Sequence, residues 1–132
     1  MHPFNIQTLD HVALRVENLE YSAAWYGRIL GLRRLQPKEW GAFPIFMVSE
    51  NGTGIALFPT SKNPDTLPPG NWLKGDHYAF RINNKEFKNA QEHLRSHSIE
   101  FKFQNHTYFH SIYFEDPDGH KLEFTTPVLD LP

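Results

Sequence analysis

Asp10-His11-Val12-Ala13-Leu14-Arg15-Val16 and Asp76-His77-Tyr78-Ala79-Phe80-Arg81-Ile82 are one short block written twice. Asp, His, Ala and Arg are identical in the two copies, and the three remaining positions are apolar in both. The histidines lie 66 residues apart in a chain of 132, so the repeat divides the sequence in half. Self-similarity at a fixed spacing marks a duplicated structural unit rather than two strands that happen to look alike.

The residues after each copy support the duplication. After the first, Asn18 is placed to cap a helix over 19–30, whose apolar Leu19, Ala23, Tyr26 and Leu30 recur at helical spacing and whose C′ residue is Gly31. After the second, Asn83 or Asn84 heads a helix over 85–97 with Phe87, Ala90 and Leu94 on one face, and Glu86 is spaced for a capping box with Asn83. Strand-like runs come next, at 33–36, 43–48 and 54–59 in the first half and at 99–104, 110–115 and 121–126 in the second. Asp116-Pro117-Asp118-Gly119 turns the last two of these into a hairpin. Each half therefore reads β-α-β-β-β, and the fold class is α+β: two repeated modules, over 7–59 and 76–126, whose curved mixed sheets enclose a cleft. The connector, 60–75, carries Pro64, Pro68, Pro69, Gly70 and Gly75, and its Pro68 to Trp72 stretch is a solvated loop or a lid.

Composition narrows the chemistry. The chain has no cysteine, which excludes disulfides, thiolate zinc sites, iron–sulfur ligation and a cysteine nucleophile. Any metal must bind through nitrogen and oxygen. With 13 Lys and Arg against 15 Asp and Glu, there is no basic field to attract nucleic acid. No apolar run approaches the roughly 20 residues that cross a bilayer, so no membrane partner is expected and a cytoplasmic location is. Nineteen aromatic residues supply the area for one ordinary core.

The repeated histidines carry the first functional reading. A lone strand histidine is usually structural, but His11 and His77 occupy equivalent places on equivalent first strands, and pairing of the two half-sheets would bring both imidazoles to the cleft. Glu123 sits between Leu122 and Phe124 and, by strand alternation, points away from both. A carboxylate turned toward the inside of a sheet needs a partner, because an unpaired buried charge is very costly. A metal held by His11, His77 and Glu123 meets that need, and two histidines with one carboxylate suit Fe(II), with Mn(II) or Zn(II) also compatible.

Taken together, Leu9-Asp10-His11-Val12-Ala13-Leu14, Trp25-Tyr26, Leu30-Gly31-Leu32, the second Asp76-His77-Tyr78-Ala79-Phe80 block and the closing Ser111-Ile112-Tyr113-Phe114 to Glu123 stretch resemble the vicinal oxygen chelate superfamily. This is the glyoxalase, bleomycin-resistance and extradiol-dioxygenase family, and the resemblance covers roughly residues 7–126. It implies a divalent metal in a cleft made by paired modules, a homodimer, and a small-molecule substrate with vicinal oxygens. It places His11, His77 and Glu123 on three of the four ligand positions and Tyr113 on the family's active-site tyrosine. His106 and His110 are candidate acid–base groups.

The fourth ligand position falls on Gly54-Ile55-Ala56-Leu57-Phe58. Motif register assigns it to Ala56 and the 66-residue offset from Glu123 to Leu57, and neither side chain can ligate. That departure counts against glyoxalase-type isomerisation. Extradiol-dioxygenase-like chemistry leads narrowly. Behind it stand a fosfomycin-resistance-like thiol transferase, whose family carries a further phosphonate-binding arginine segment after the last strand, and a non-catalytic small-molecule or antibiotic binder.

Overall fold

The structure, a computed structural model, describes residues 2, 3, 5–60 and 75–132. Most of the connector read as a solvated loop or lid lies outside these residues. The chain divides into two compact units, Met1–Leu67 and Pro68–Pro132, and each is a four-stranded mixed sheet carrying one long helix.

In the first unit β1 (His11–Val16) runs parallel to β4 (Gly54–Pro59), which pairs antiparallel with β3 (Ile45–Val48), and β2 (Arg33–Leu35) closes the order β1-β4-β3-β2. Helix α1 (Leu19–Leu30) starts where the sequence places it. The Asn18 carboxamide accepts the Tyr21 N–H at 2.9 Å, and Gly31 ends the helix in the left-handed conformation at φ 69°, a region costly for any residue with a Cβ. Alternation sorts the strands into two faces. Leu14, Val16, Ile45, Met47, Ile55 and Leu57 are buried, as are Ala23, Trp25, Tyr26 and Ile29 of α1. Burial of each large side chain in this core contributes roughly 1.5–3 kcal/mol. His11, Ala13 and Arg15 occupy the opposite face of β1, in register with Gly54, Ala56 and Phe58.

The second unit repeats the plan. β5 (Tyr78–Arg81) is parallel to β8 (Lys121–Pro127), β7 (Phe109–Glu115) is antiparallel to β8, and β6 (Lys102–Asn105) is the far edge, giving β5-β8-β7-β6. A short 3-10 turn over Asn84–Glu86 leads into α2 (Phe87–Ser96). The capping box expected between Asn83 and Glu86 does not form. Asn83 instead caps the 3-10 turn by accepting the Lys85 N–H, and Glu86 makes no side-chain cap, because the tighter turn moves the first α-helical residue to Phe87. Phe87 and Leu94 are buried, as are Ile112, Phe114, Leu122 and Phe124 of the sheet. At the β7–β8 turn the buried Asp116 carboxylate accepts from the N–H groups of Asp118 and His120, both at 2.9 Å.

Candidate functional site in the second unit

On the face of the second sheet away from Leu122 and Phe124, the ladder sets Lys102, Tyr113, Glu123 and Ala79 in one cross-strand row. His77 immediately precedes β5 and completes the grouping. Its Nε2 lies 3.0 Å from Glu123 Oε1, while Nδ1 donates to Asp76 Oδ2 at 2.7 Å. Both ring nitrogens thus face carboxylate oxygens, which accept hydrogen bonds and cannot donate them. The Glu123 side chain is only 8% exposed against 36% for His77. The hydrogen bond from His77, and behind it the charge of Lys121, holds the Asp76 carboxyl below its usual value.

Tyr113 closes the other side of Glu123. Its ring meets the His77 ring edge-on, with centroids 5.6 Å apart. Its hydroxyl lies 2.9 Å from His106 Nε2, and across the β7–β8 ladder Tyr113 directly faces Glu123. Burial first, then the charge of Glu123 and hydrogen bonding to it, push the phenol's pKa above its ordinary value. The result is a chain of polar side chains, Asp76, His77, Glu123, Tyr113 and His106, in contact from end to end. A groove of about 1500 Å³ within this unit is lined by Asp76, His77, Tyr113, Lys102, Gln104 and Lys121, among others.

The first unit holds a partial copy. His11 Nδ1 donates to Asp10 Oδ1 at 2.8 Å, and its ring meets Phe46 edge-on at 5.6 Å, the same separation as His77 and Tyr113. Phe46 pairs with Ala56 as Tyr113 pairs with Glu123, and Ala56 faces Ala13 as Glu123 faces Ala79. The register therefore settles the counterpart of Glu123 as Ala56. Leu57 points to the buried face and is fully buried. The first unit has the histidine, its carboxylate partner and its aromatic neighbour, but neither the glutamate nor the phenol.

His110 lies elsewhere. It shares strand parity with Ile112 and Phe114, on the face opposite Tyr113, and packs against Phe103 and Phe87 at 5.2 and 6.5 Å. The structure does not bring it to the grouping, whereas His106, on the β6–β7 turn, is brought there. The sequence reading missed Asp76 and Asp10 as partners of the two histidines, although an Asp before each His in both copies of the repeat was the signal for it.

The donors fit half of a divalent-metal site. Two donors 3.0 Å apart have the spacing of adjacent ligands that each lie about 2.1 Å from one ion. A carboxylate on the histidine's other nitrogen is the usual support of a ligating imidazole. Among the described residues no group of three or more His, Cys, Asp or Glu that could hold a metal is formed.

Against known proteins, the family model described as Glyoxalase/Bleomycin resistance protein/Dioxygenase superfamily matches residues 8–124. "Metallothiol transferase FosB" of Lysinibacillus sphaericus (strain C3-41) is 30% identical over 129 residues, covering 94% of this chain and 85% of that protein. "Glutathione transferase FosA" of Serratia marcescens is 27% identical over 122 residues, covering 89% and 79%. The crystal structure of a glyoxalase/dioxygenase from Nostoc punctiforme superposes with a TM-score of 0.77 at 26% identity, covering 97% of this chain and 96% of that one.

Proposed function

This chain belongs to the glyoxalase/bleomycin resistance protein/dioxygenase superfamily, and from that premise we propose that it is a metal-dependent transferase that adds a thiol to a small epoxide bearing a neighbouring oxygen. The observation that carries the reading is the buried Glu123 carboxylate paired with His77 while Ala56 stands in the matching place of the first unit. Two histidines and one glutamate can hold an ion, but no second carboxylate stands at Ala56 to move a proton as glyoxalase-type isomerisation requires. The two curated relatives, named as thiol and glutathione transferases, favour thiol transfer over the ring-cleaving dioxygenase that the sequence placed narrowly first.

In this proposal His77 and Glu123 would supply two of the ion's ligands, and His11, the counterpart of His77 in the repeat, is a further candidate donor. A bound divalent metal supplies Lewis-acid polarisation of the substrate's oxygens. Asp76 fixes the His77 ring by its Nδ1 hydrogen bond. Tyr113 supports Glu123 from the neighbouring strand β7. In the reaction a C–S bond forms at one ring carbon, the C–O bond at that carbon breaks, and the thiol proton ends on the freed oxygen. No oxidant or reductant is needed. The protein acts as a homodimer on a freely diffusing substrate.

The test is thiol consumption with fosfomycin as the epoxide, glutathione or L-cysteine as the thiol, and Mn(II). The expected result is one thiol lost per epoxide, with the mass of the adduct, abolished in Glu123→Ala. Cleavage of a catechol with Fe(II) and O₂, without thiol loss, would return the chain to dioxygenase chemistry. Tight binding of the small molecule by metal-free protein without turnover would make it a binder.

A further inference from the structure

His106 stands outside the strands, yet its ring is brought to the Tyr113 hydroxyl at 2.9 Å. The turn that brings it there is tied down at each step. The His106 N–H donates to Phe109 O at 2.8 Å, the Tyr108 N–H donates to His106 O at 2.8 Å, and the Asn105 carboxamide accepts the Thr107 N–H at 2.8 Å. Between them Thr107 sits at φ 70°, in the left-handed region that a β-branched residue rarely adopts. A strained residue persists only where its surroundings over-determine it, and such residues gather where a side chain must be aimed.

The Tyr113 hydroxyl has one proton and two neighbours that can accept it, Glu123 and His106. A carboxylate is the stronger acceptor, since hydrogen bonds to an ionised group are about twice as strong as those between neutral ones. The contact with His106 must then run the other way. We propose that His106 is a positioning residue: it donates its Nε2–H to the Tyr113 oxygen and thereby commits the phenolic proton to Glu123. Glu123 is then held from two sides, by His77 and by the phenol, with its carboxylate oriented for the ion. This rests on the reading of Glu123 as a metal ligand, and it assigns to a turn residue the orientation of that ligand through an intervening phenol.

The discriminating pair is His106→Gln, whose carboxamide N–H can replace the donor, and His106→Leu, which cannot donate. In metal-free protein the ¹³C resonance of Tyr113 Cζ is expected to stay in place in His106→Gln and to move in His106→Leu. A Cζ signal unmoved in His106→Leu, or moved equally in both, overturns the proposal, as does a ring of His106 found with its proton on Nδ1. With Mn(II), affinity is expected to fall about 10-fold in His106→Leu, the low end of the range for groups that orient ligands, and to stay within about 2-fold of the parent in His106→Gln. Equal losses in the two variants, or none in either, overturn it too. A parent protein that binds no Mn(II) removes the metal reading, and the Cζ comparison then decides the His106 contact by itself.

Discussion

Replacing Glu123 by Gln keeps the side chain's shape and removes its charge, so it tests both the metal-free pairing and the ion. The carboxylate takes two charge-assisted contacts, from His77 Nε2 at 3.0 Å and from the Tyr113 hydroxyl. Each such bond contributes about 1.5–3 kcal/mol. The His77 side chain is 36% exposed, so water screens its share and the low end applies there. A carboxamide oxygen still accepts from one of the two donors, and a neutral group is less costly to bury than the carboxylate. The net loss without metal is therefore about 1–2 kcal/mol, a fall in the urea midpoint of roughly 0.5–1 M at an m-value near 2 kcal/mol/M. Mn(II) at 100 times its Kd adds about 2.7 kcal/mol to the parent by mass action and nothing to a variant that no longer binds it. Urea unfolding of both proteins, with and without Mn(II), should thus show a gap that widens to about 4 kcal/mol. Stabilisation of Glu123→Gln by Mn(II) as large as the parent's would refute this and remove Glu123 from the ligand set. Metal-free proteins that unfold together would refute it equally, leaving the contacts with His77 and Tyr113 without consequence.

Three more outcomes rest on single contacts. The folded state holds the Tyr113 phenol above its ordinary pKa of 10.0, so the stability it contributes is complete below that pH and is lost as pH rises through the raised value; the urea midpoint of the parent should keep its distance from that of Tyr113→Phe up to about pH 10 and approach it only above. Gly54, opposite His11, is packed so closely that an added Cβ would lie 2.1 Å from the Met47 carbonyl oxygen and 2.9 Å from Val48 Cα, so Gly54→Ala should cost about 3 kcal/mol or more by thermal or urea unfolding, since backbone must move to relieve it. Thr126 Oγ1 is fully buried and, among the described residues, has no hydrogen-bond partner, so Thr126→Val should raise stability by about 1 kcal/mol in the same assay.

Much of the fold was legible because the information that sets it is local. Asn18 and Gly31 bound α1 where their capping chemistry places them, and the repeated block put β1 and β5 at the start of equivalent modules. The capping box at Asn83 misled because a 3-10 turn competes with the α-helix over its first residues, and spacing alone does not separate the two. Parity already held the answer for His110, since it differs from Tyr113 by an odd number of strand residues and must face the other way. Parity is silent on His106, because the turn after Asn105 breaks the alternation; its approach to Tyr113 depends on the left-handed Thr107, which no local rule would assign to a β-branched residue.

Ala56 and Leu57 could not be separated by counting for a related reason. The 66-residue offset holds only while the two modules keep equal loop lengths, and one residue of difference before β4 or β8 shifts the count and reverses the face. Register has no such weakness, since it is fixed by paired backbones: Ala13 meets Ala56 and Ala79 meets Glu123. By register, the modules differ at two touching positions together. Where Glu123 stands against Tyr113, Ala56 stands against Phe46, so the first unit lacks both the carboxylate and the hydroxyl that would need it. Had only the glutamate been absent, a half-buried phenol would be left without its acceptor, and had only the phenol been absent, a buried carboxylate would lose one of its two supports. The paired change leaves each face chemically consistent, with an imidazole over a ring in one unit and an imidazole, carboxylate and phenol in the other.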